Sequence, residues 1–587
     1  MHGERTTLPE LLERAARNGD AGLRFVDAAE HAVWFSWPLI RSRALDACGR
    51  LQARGVAAGD RVALVLPTSI EFFDAFLGVL LAGAVPVPLY PPLRLGRLDE
   101  YAARTSRMLE LVRARLVVTD RRVRRLLGPA VAAARPPLGC VVLDELREGT
   151  TRPCPVAPDD LALVQFSSGS TVDPKPVALS HRAVVAQTLR LKGFWPQPEG
   201  RAVDSGVSWL PLYHDMGLIG CVLPALEHPG TLTLIPPELF IARPALWLQT
   251  ISRYRATISP APNFAYGLCL EKVRDDQLDG VDLSCWRVAL NGAEPVAPRV
   301  LRGFCERFSR WGFSPAAMTP VYGLSEAALA VTFSPLEQPF DSRCFDRERL
   351  AREGRAVEAT NGMELVSLGQ PLTDFALKVV DDDGRELGPD LVGRLLVSGP
   401  SLMDGYLDQP EATADVLRDG WLDTGDLGFV HDGLLFLTGR AKDVLILHGR
   451  NHSPHEVEDA VGVVPGVRAG CAIAVSWLPE DGTGERLLLL VEARREVVAT
   501  AYSQIAAACA AAVRAAAGLQ PDHVEVLTPG TLPRTSSGKL RRAETLRRWL
   551  AGELDPPAAA TPLRMLAAAA RSRLAFARMR LEPDERS

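Results

Sequence analysis

The chain has 587 residues, 47 % apolar and 23 % charged, with a net charge of −5. That balance excludes wholesale disorder, and a chain of this length buries a large core in roughly four domains or fewer large ones. Without a positive field to hold a polyanion, nucleic acid is a poor expectation as a partner.

Basic side chains are 60 Arg against 6 Lys, so each lysine is informative. Ten Cys are scattered from Cys48 to Cys509 with no CxxC pair and no zinc-finger spacing. Such usage predicts a reduced, cytoplasmic protein. The N-terminus lacks an apolar signal region. The most membrane-like run, 76–90, is shorter than the ~20 residues a span needs. No integral membrane segment is therefore expected.

In chain order, the first third alternates short apolar runs with helix-like stretches. The run 61–66, RVALVL, suits a buried strand; Pro67-Thr68-Ser69 breaks it and opens a helix over 70–81. Segments 84–89, 116–119 and 140–143 predict further strands. Repeated strand-then-helix patterning predicts α/β layers with much parallel sheet. Strand candidates 231–235, 257–259 and 286–290 continue the pattern. From about residue 364 the character changes. Asp383-Gly384, Asp419-Gly420 and Asp432-Gly433 punctuate short strands, a hairpin signature.

A boundary is expected after Gly439-Arg440. The expected organisation is a large N-terminal domain over 1–440, with two α/β subdomains and a β-rich one. A small mobile α/β domain follows over 441–550, with strands at 471–475 and 487–491 and an Ala-rich helix at 502–517. Residues 551–587 read as a linker and a basic, Ala/Leu-rich helix. That helix is expected to pack on the small domain rather than on a membrane or a partner.

The most informative segment is 165–181, QFSSGSTVDPKPVALSH. Ser167, Ser168, Ser170 and Thr171 surround Gly169, and Lys175 adds a positive charge. Four hydroxyls on a Gly-containing turn can wrap anionic oxygens, although a lone loop of this kind also reads as a flexible Ser/Thr connection. It is not GxxxxGK[ST], and GxGxxG is missing as well, because Leu487 stands where the third Gly belongs after Gly482 and Gly484.

The segment resembles the phosphate-binding loop of adenylate-forming enzymes: acyl-CoA synthetases, adenylation domains and luciferases. Five more segments resemble that family's motifs in the same order. Asn291-Gly292-Ala293-Glu294-Pro295 is similar to the adenine-side loop, and Tyr322-Gly323-Leu324-Ser325-Glu326 to the YGxTE motif. Trp421 to Asp426, WLDTGD, is similar to the ribose-binding turn. Gly439-Arg440-Ala441-Lys442-Asp443 resembles the interdomain hinge, and LPRTSSGKL over 532–540 the C-terminal catalytic loop. Three of the six lysines, Lys175, Lys442 and Lys539, fall inside these motifs.

The resemblance implies ATP and Mg²⁺. It puts Ser167 to Thr171 and Lys175 on the pyrophosphate side, Tyr322 against adenine within the Gly292–Glu294 and Gly323 loops, and Ser325 at the α-phosphate. Glu326 would hold Mg²⁺, Asp426 the ribose hydroxyls and Arg440 the ribose or phosphate. Lys539 would bridge the attacking carboxylate and the α-phosphate, and Lys442 would be the hinge. Each also has a plain reading as a cap, a core residue or a surface side chain. The chemistry explains the residue types: two anions must meet in line, which needs cations and oriented N–H groups.

WLPLYHDMGL over 209–218, SPAPNFAY over 259–266 and GRNHSPHEVE over 449–458 resemble the fatty acyl-AMP ligase branch. His214, Asn263 and Phe264 would line the acyl site. The charged segment 340–363 is similar to that branch's insertion, which disfavours coenzyme A. The branch activates a medium- or long-chain fatty acid and loads the phosphopantetheine thiol of a separate acyl carrier protein. A long-chain acyl-CoA synthetase, an amino- or aryl-acid adenylation protein and a non-catalytic acyl-AMP or nucleotide binder remain alternatives. Val172 and Pro176 replace glycines common in relatives, and Pro176 biases Lys175 toward an extended backbone.

Overall fold

The computed structural model describes residues 6–92, 95–167, 174–194, 203–447, 450–479, 485–535, 538–558 and 561–581. Its largest sheet has nine strands. Six central strands run parallel, in the order Gly22–Val26, Thr231–Leu234, Ser205–Ser208, Ile258–Ala261, Val288–Asn291 and Met318–Gly323. Antiparallel strands close both edges. A second, four-stranded parallel sheet holds Val85–Leu89, Arg61–Val65, Leu116–Thr119 and Cys140–Val141. The expected α/β layers are thus present, and the helix Ile70–Leu81 falls on its predicted span. Ten of its twelve residues are buried, which is why that run resembles a membrane segment. No described helix is long and apolar enough to cross a membrane.

The Asp-Gly pairs turn hairpins as expected. Asp419 and Gly420 have φ of 50° and 76°, and Asp432 and Gly433 have 49° and 76°. Both pairs join antiparallel strands, Leu417–Arg418 to Trp421–His431 and the latter to Leu434–Arg440. Two consecutive left-handed residues match the right-handed twist of the flanking strands.

Residues 340–363 form no solvated loop. The strand Ser342–Phe345 pairs with Met363–Val366, and a short helix, Arg347–Glu353, sits between them. Phe345 is fully buried against Phe429 and Phe436 of the neighbouring hairpin. Arg343 reaches Glu358 and Asp432 at 2.8 Å each. Arg347 pairs with Glu456 of the C-terminal unit.

That unit has its own sheet, Val467–Trp477, Arg486–Ala493 and His523–Leu527, and its own apolar clusters on both faces. The Ala-rich helix is Tyr502–Ala517. The terminal helix, Pro562–Leu581, departs from expectation. It packs on the helix Arg121–Ala134 of the large unit, not on the small one. Gly128 permits the close approach. Its N–H donates to Ser572 Oγ at 2.8 Å, and that hydroxyl donates to the Arg124 carbonyl at 3.1 Å. Those two backbone groups are ordinary i→i−4 helix partners, so the serine inserts into the ladder.

Candidate active site

The parallel strands of the large sheet end on one side, and the loops leaving their carboxyl ends carry most of the predicted residues. Ligands in open α/β sheets bind there, where no strand continues to fill the crevice. Ser208 leads to His214, Ala261 to Asn263 and Phe264, Asn291 to Gly292–Glu294, and Gly323 to Ser325 and Glu326.

Glycine is required at two of these ends. A Cβ on Gly323 would lie 1.8 Å from the Leu329 carbonyl oxygen, and one on Gly292 2.6 Å from Val321 Cγ2 and 2.8 Å from its carbonyl oxygen. Ala293 has φ 69°, a left-handed conformation that costs a non-glycine residue energy and recurs at functional loops. Asn263 Oδ1 accepts from Asn291 Nδ2 and the Ala297 N–H, at 3.3 Å each. The Glu294 carboxylate takes the Phe264 N–H, so it staples two loops. Burial pushes the Glu294 carboxyl up, against that bond and the Lys539, Arg534 and His455 charges. The buried Asn291 Oδ1 has no hydrogen-bond partner among the described residues, an acceptor left over for a ligand donor.

Asp426 comes from the β-rich unit. Residues 424–426 bulge out of the ladder opposite Leu395, and Gly425 turns left-handed at φ 72°. The bulge aims Asp426 at the sheet crevice. Its Oδ2 accepts the Tyr322 hydroxyl at 2.6 Å and its Oδ1 the Arg440 Nε at 3.1 Å. Tyr322 is buried, and burial with the Asp426 charge drives its phenol well above the usual range. Burial also works against the Arg440 charge, but Asp426 and the nearby acidic groups outweigh it.

Two residues absent from the sequence expectation complete the centre. Asp215 accepts the Ser325 hydroxyl at 2.5 Å and lies 2.6 Å from His214 Nδ1. Burial alone would raise its carboxyl. His214, Ser325 and the Lys539 ammonium together hold it well below the ordinary range. Tyr406 donates to Glu326 Oε1 at 3.0 Å, and Lys175 Nζ stands 4.4 Å from the centre of its ring. Tyr406 therefore joins the predicted metal carboxylate to the predicted phosphate lysine. Burial pushes the Glu326 carboxyl up despite the Tyr406 bond.

Lys539 reaches this centre from the C-terminal unit. Its N–H and carbonyl close a turn on Thr535, and Gly538 is left-handed at φ 95°. Burial and the Arg440 charge lower its ammonium, while Asp215, Glu294 and Asp426 raise it. One lysine thus feels the charge of carboxylates from three separate segments. Ser167 donates its N–H to the Lys175 carbonyl at 3.0 Å. Ser168, Gly169, Ser170, Thr171 and Val172 lie outside the described residues. Lys442 stands apart, exposed in the turn after Arg440.

A family model described as AMP-binding enzyme matches residues 12–407. A 4-hydroxyphenylalkanoate adenylyltransferase of Mycobacterium tuberculosis is 34 % identical over 587 residues, covering 94 % of this chain and 93 % of that protein. The long-chain-fatty-acid–AMP ligase FadD23 of the same species is 32 % identical over 577 residues, with 92 % and 96 % covered. A solved structure from a study of fatty acyl-adenylate ligases of E. coli and L. pneumophila aligns with a TM-score of 0.87 at 33 % identity. It covers 94 % of this chain and 99 % of its own.

Proposed function

The chain belongs to the AMP-binding enzyme family, and from that premise we propose that it joins a medium- or long-chain fatty acid to AMP and passes the acyl group to a carrier protein's phosphopantetheine thiol. It is an adenylate-forming enzyme that uses ATP. The adenylation half of this reading is supported by Lys539 lying within electrostatic reach of Asp215, Glu294 and Asp426. This is the arrangement suited to the first half-reaction.

In that step a fatty-acid carboxylate oxygen bonds to the α-phosphorus. The bond from that phosphorus to its bridging oxygen breaks, and pyrophosphate leaves with the electron pair. The carboxylate is already ionised at neutral pH, so no general base is needed. Lys539 neutralises the two approaching anions, and Ser325, fixed by Asp215, lies beside them. Asp426 takes the ribose hydroxyls in exchange for part of its present bonding. Lys175 and Ser167 would take the leaving group, together with the Ser168–Thr171 loop that the sequence assigns to it. Glu326, with Tyr406 on one oxygen only, suits Mg²⁺, a hard cation that would offset phosphate charge. His214 and Phe264 border the acid, with Trp209 edge-on to Phe264 at 5.7 Å. Lys442 is the proposed pivot for the second half-reaction.

The test incubates protein, ATP, Mg²⁺ and fatty acids with and without coenzyme A, and reads products by mass spectrometry. Acyl-AMP that persists beside coenzyme A is the expected result; acyl-CoA would overturn it. 4-Hydroxyphenylalkanoates belong in the same panel, because a relative of equal similarity bears that name. Lys539→Ala should cut ATP–pyrophosphate exchange at least a hundredfold while ATP still binds.

A further inference from the structure

Toward their amino-terminal ends, on the side of the large sheet opposite the reaction centre, three of the parallel strands carry a second set of polar side chains. Arg24 pairs in register with Thr233, and Thr231 with Ser205. Thr231 and Thr233 are two residues apart on one strand, so all four side chains share one face of the sheet. The alternate positions, Leu23, Phe25, Leu232 and Leu234, belong to the core on the other face. Interior strands of a parallel sheet are ordinarily apolar on both faces. An arginine and three hydroxyls break that pattern here, and local departures of this kind collect at functional sites.

That face opens into a cavity of about 410 Å³, lined by Arg24, Ser205, Thr231 and Thr233 together with Arg253 and Arg255 of the loop before Ile258–Ala261. No lining residue is acidic. Thr233 is buried, and its Oγ1 accepts Arg24 Nη1 at 3.1 Å. The Arg24 guanidinium lies 4.1 Å from the centre of the Tyr254 ring and 5.1 Å from that of Trp34. These contacts hold the side chain and leave its charge unneutralised. Burial lowers its pKa, and among the described residues no carboxylate pairs with it. Arg253, again among the described residues, reaches only the Glu30 carbonyl, at 3.4 Å. The neighbouring carboxylates are engaged elsewhere: Asp204 with Arg287 at 2.7 Å and Glu30 with Arg243 at 2.9 Å. Arg255 alone of the three has an acidic partner, Asp282 at 3.2 Å. A chain of net charge −5 thus keeps two guanidiniums without counter-charge beside three hydroxyls in one cavity. Such charges repel until an anion joins them. Guanidinium forks and hydroxyl donors match the oxygens of a phosphate group.

We propose that this cavity is a second binding site, separate from the reaction centre, for a phosphate monoester. The strand Ser205–Ser208 spans the two: it begins in the cavity and ends where the chain leaves toward His214, roughly 10 Å away. The site goes beyond the adenylation reading and stands without it. A free metabolite and a lipid headgroup both present this group, and the experiment separates the two sources.

The test titrates glycerol 3-phosphate calorimetrically into the unaltered protein, Arg24→Gln, Arg24→Lys and Arg253→Gln. The same four proteins are sedimented with phosphatidylcholine vesicles, with and without phosphatidic acid. Each Gln variant should weaken binding about tenfold, the loss of one charge-assisted contact. Arg24→Lys, which keeps the charge but not the fork, should recover part of it. Thermal melts check folding, and the exposed Arg253 keeps the test open should Arg24→Gln fail to fold. Arginine-dependent binding of glycerol 3-phosphate supports the site with a free ligand. Arginine-dependent binding of phosphatidic acid vesicles alone supports it with a headgroup. Binding of neither probe, or binding equal in all four proteins, overturns it.

Discussion

Asp426 shows how much one side chain depends on distant chain. It holds Tyr322 and Arg440 through its two oxygens, while its N–H donates to Thr424 Oγ1 at 3.1 Å. Its motif was legible because Thr-Gly-Asp is a local pattern. Asp215 was not: its partner Ser325 is 110 residues away, and beside an apolar run it reads as a turn residue. Tyr406 escaped likewise, since an isolated Gly-Tyr carries no period. His181, outside the centre, yields a prediction about stability. Its Nδ1 accepts the Leu8 N–H at 3.2 Å, which requires a neutral ring there. Burial lowers its pKa to about 4, from 6.5. As pH falls, the unfolded chain protonates first, so stability is full above about 6.5 and declines toward pH 4. The loss is about 3 kcal/mol. His181→Asn should flatten the fall of the melting temperature between pH 7 and pH 5.

Elements with a strong period were readable, and docking partners were not. Most strands of the two parallel sheets announce themselves as short apolar runs, and the hairpins as Asp-Gly pairs, while Gly22–Val26, Ser205–Ser208 and Met318–Gly323 went unread. The terminal helix was readable as a helix but not in its placement, because its composition hides its inner face. Leu563, Leu566 and Leu574 point outward, and the buried positions are Ala568 and Ser572. Small residues make the seat. A Cβ on Gly128 would lie 2.3 Å from the Ser572 carbonyl oxygen and 2.6 Å from its Cα, both backbone atoms. Gly128→Ala should therefore lift the helix at a cost of about 1–3 kcal/mol. Limited proteolysis within 562–581 should accelerate while ATP–pyrophosphate exchange persists; an unchanged cleavage rate would show that the seat tolerates a methyl group.

In the whole molecule, the small unit is held by contacts from several directions. Arg347 of the 340–363 segment pairs with Glu456, Arg548 with Glu100, and Arg97 Nη2 donates to the Thr531 and Asp555 carbonyls at 3.2 and 2.9 Å. The charge of segment 340–363 was visible in the sequence, but its anchor, Phe345 between Phe429 and Phe436, depends on a hairpin some 85 residues later. Removing 340–363 frees one of these holds. The deletion protein should convert a share of its acyl-AMP to acyl-CoA when coenzyme A is present; a folded deletion that makes none would separate this segment from thiol choice.

The docked terminal helix also sets a length. The small unit leaves the large one at 440–443 and is tied back to it where Pro562 begins that helix. Only residues 551–561 lie between, a contour of at most roughly 35–40 Å when drawn straight. While the helix stays seated, Leu550 is confined to a sphere of that radius around Pro562. Any swing about Lys442 is then a motion on a leash, and shortening the leash by a few residues would select among its arcs without touching the catalytic centre.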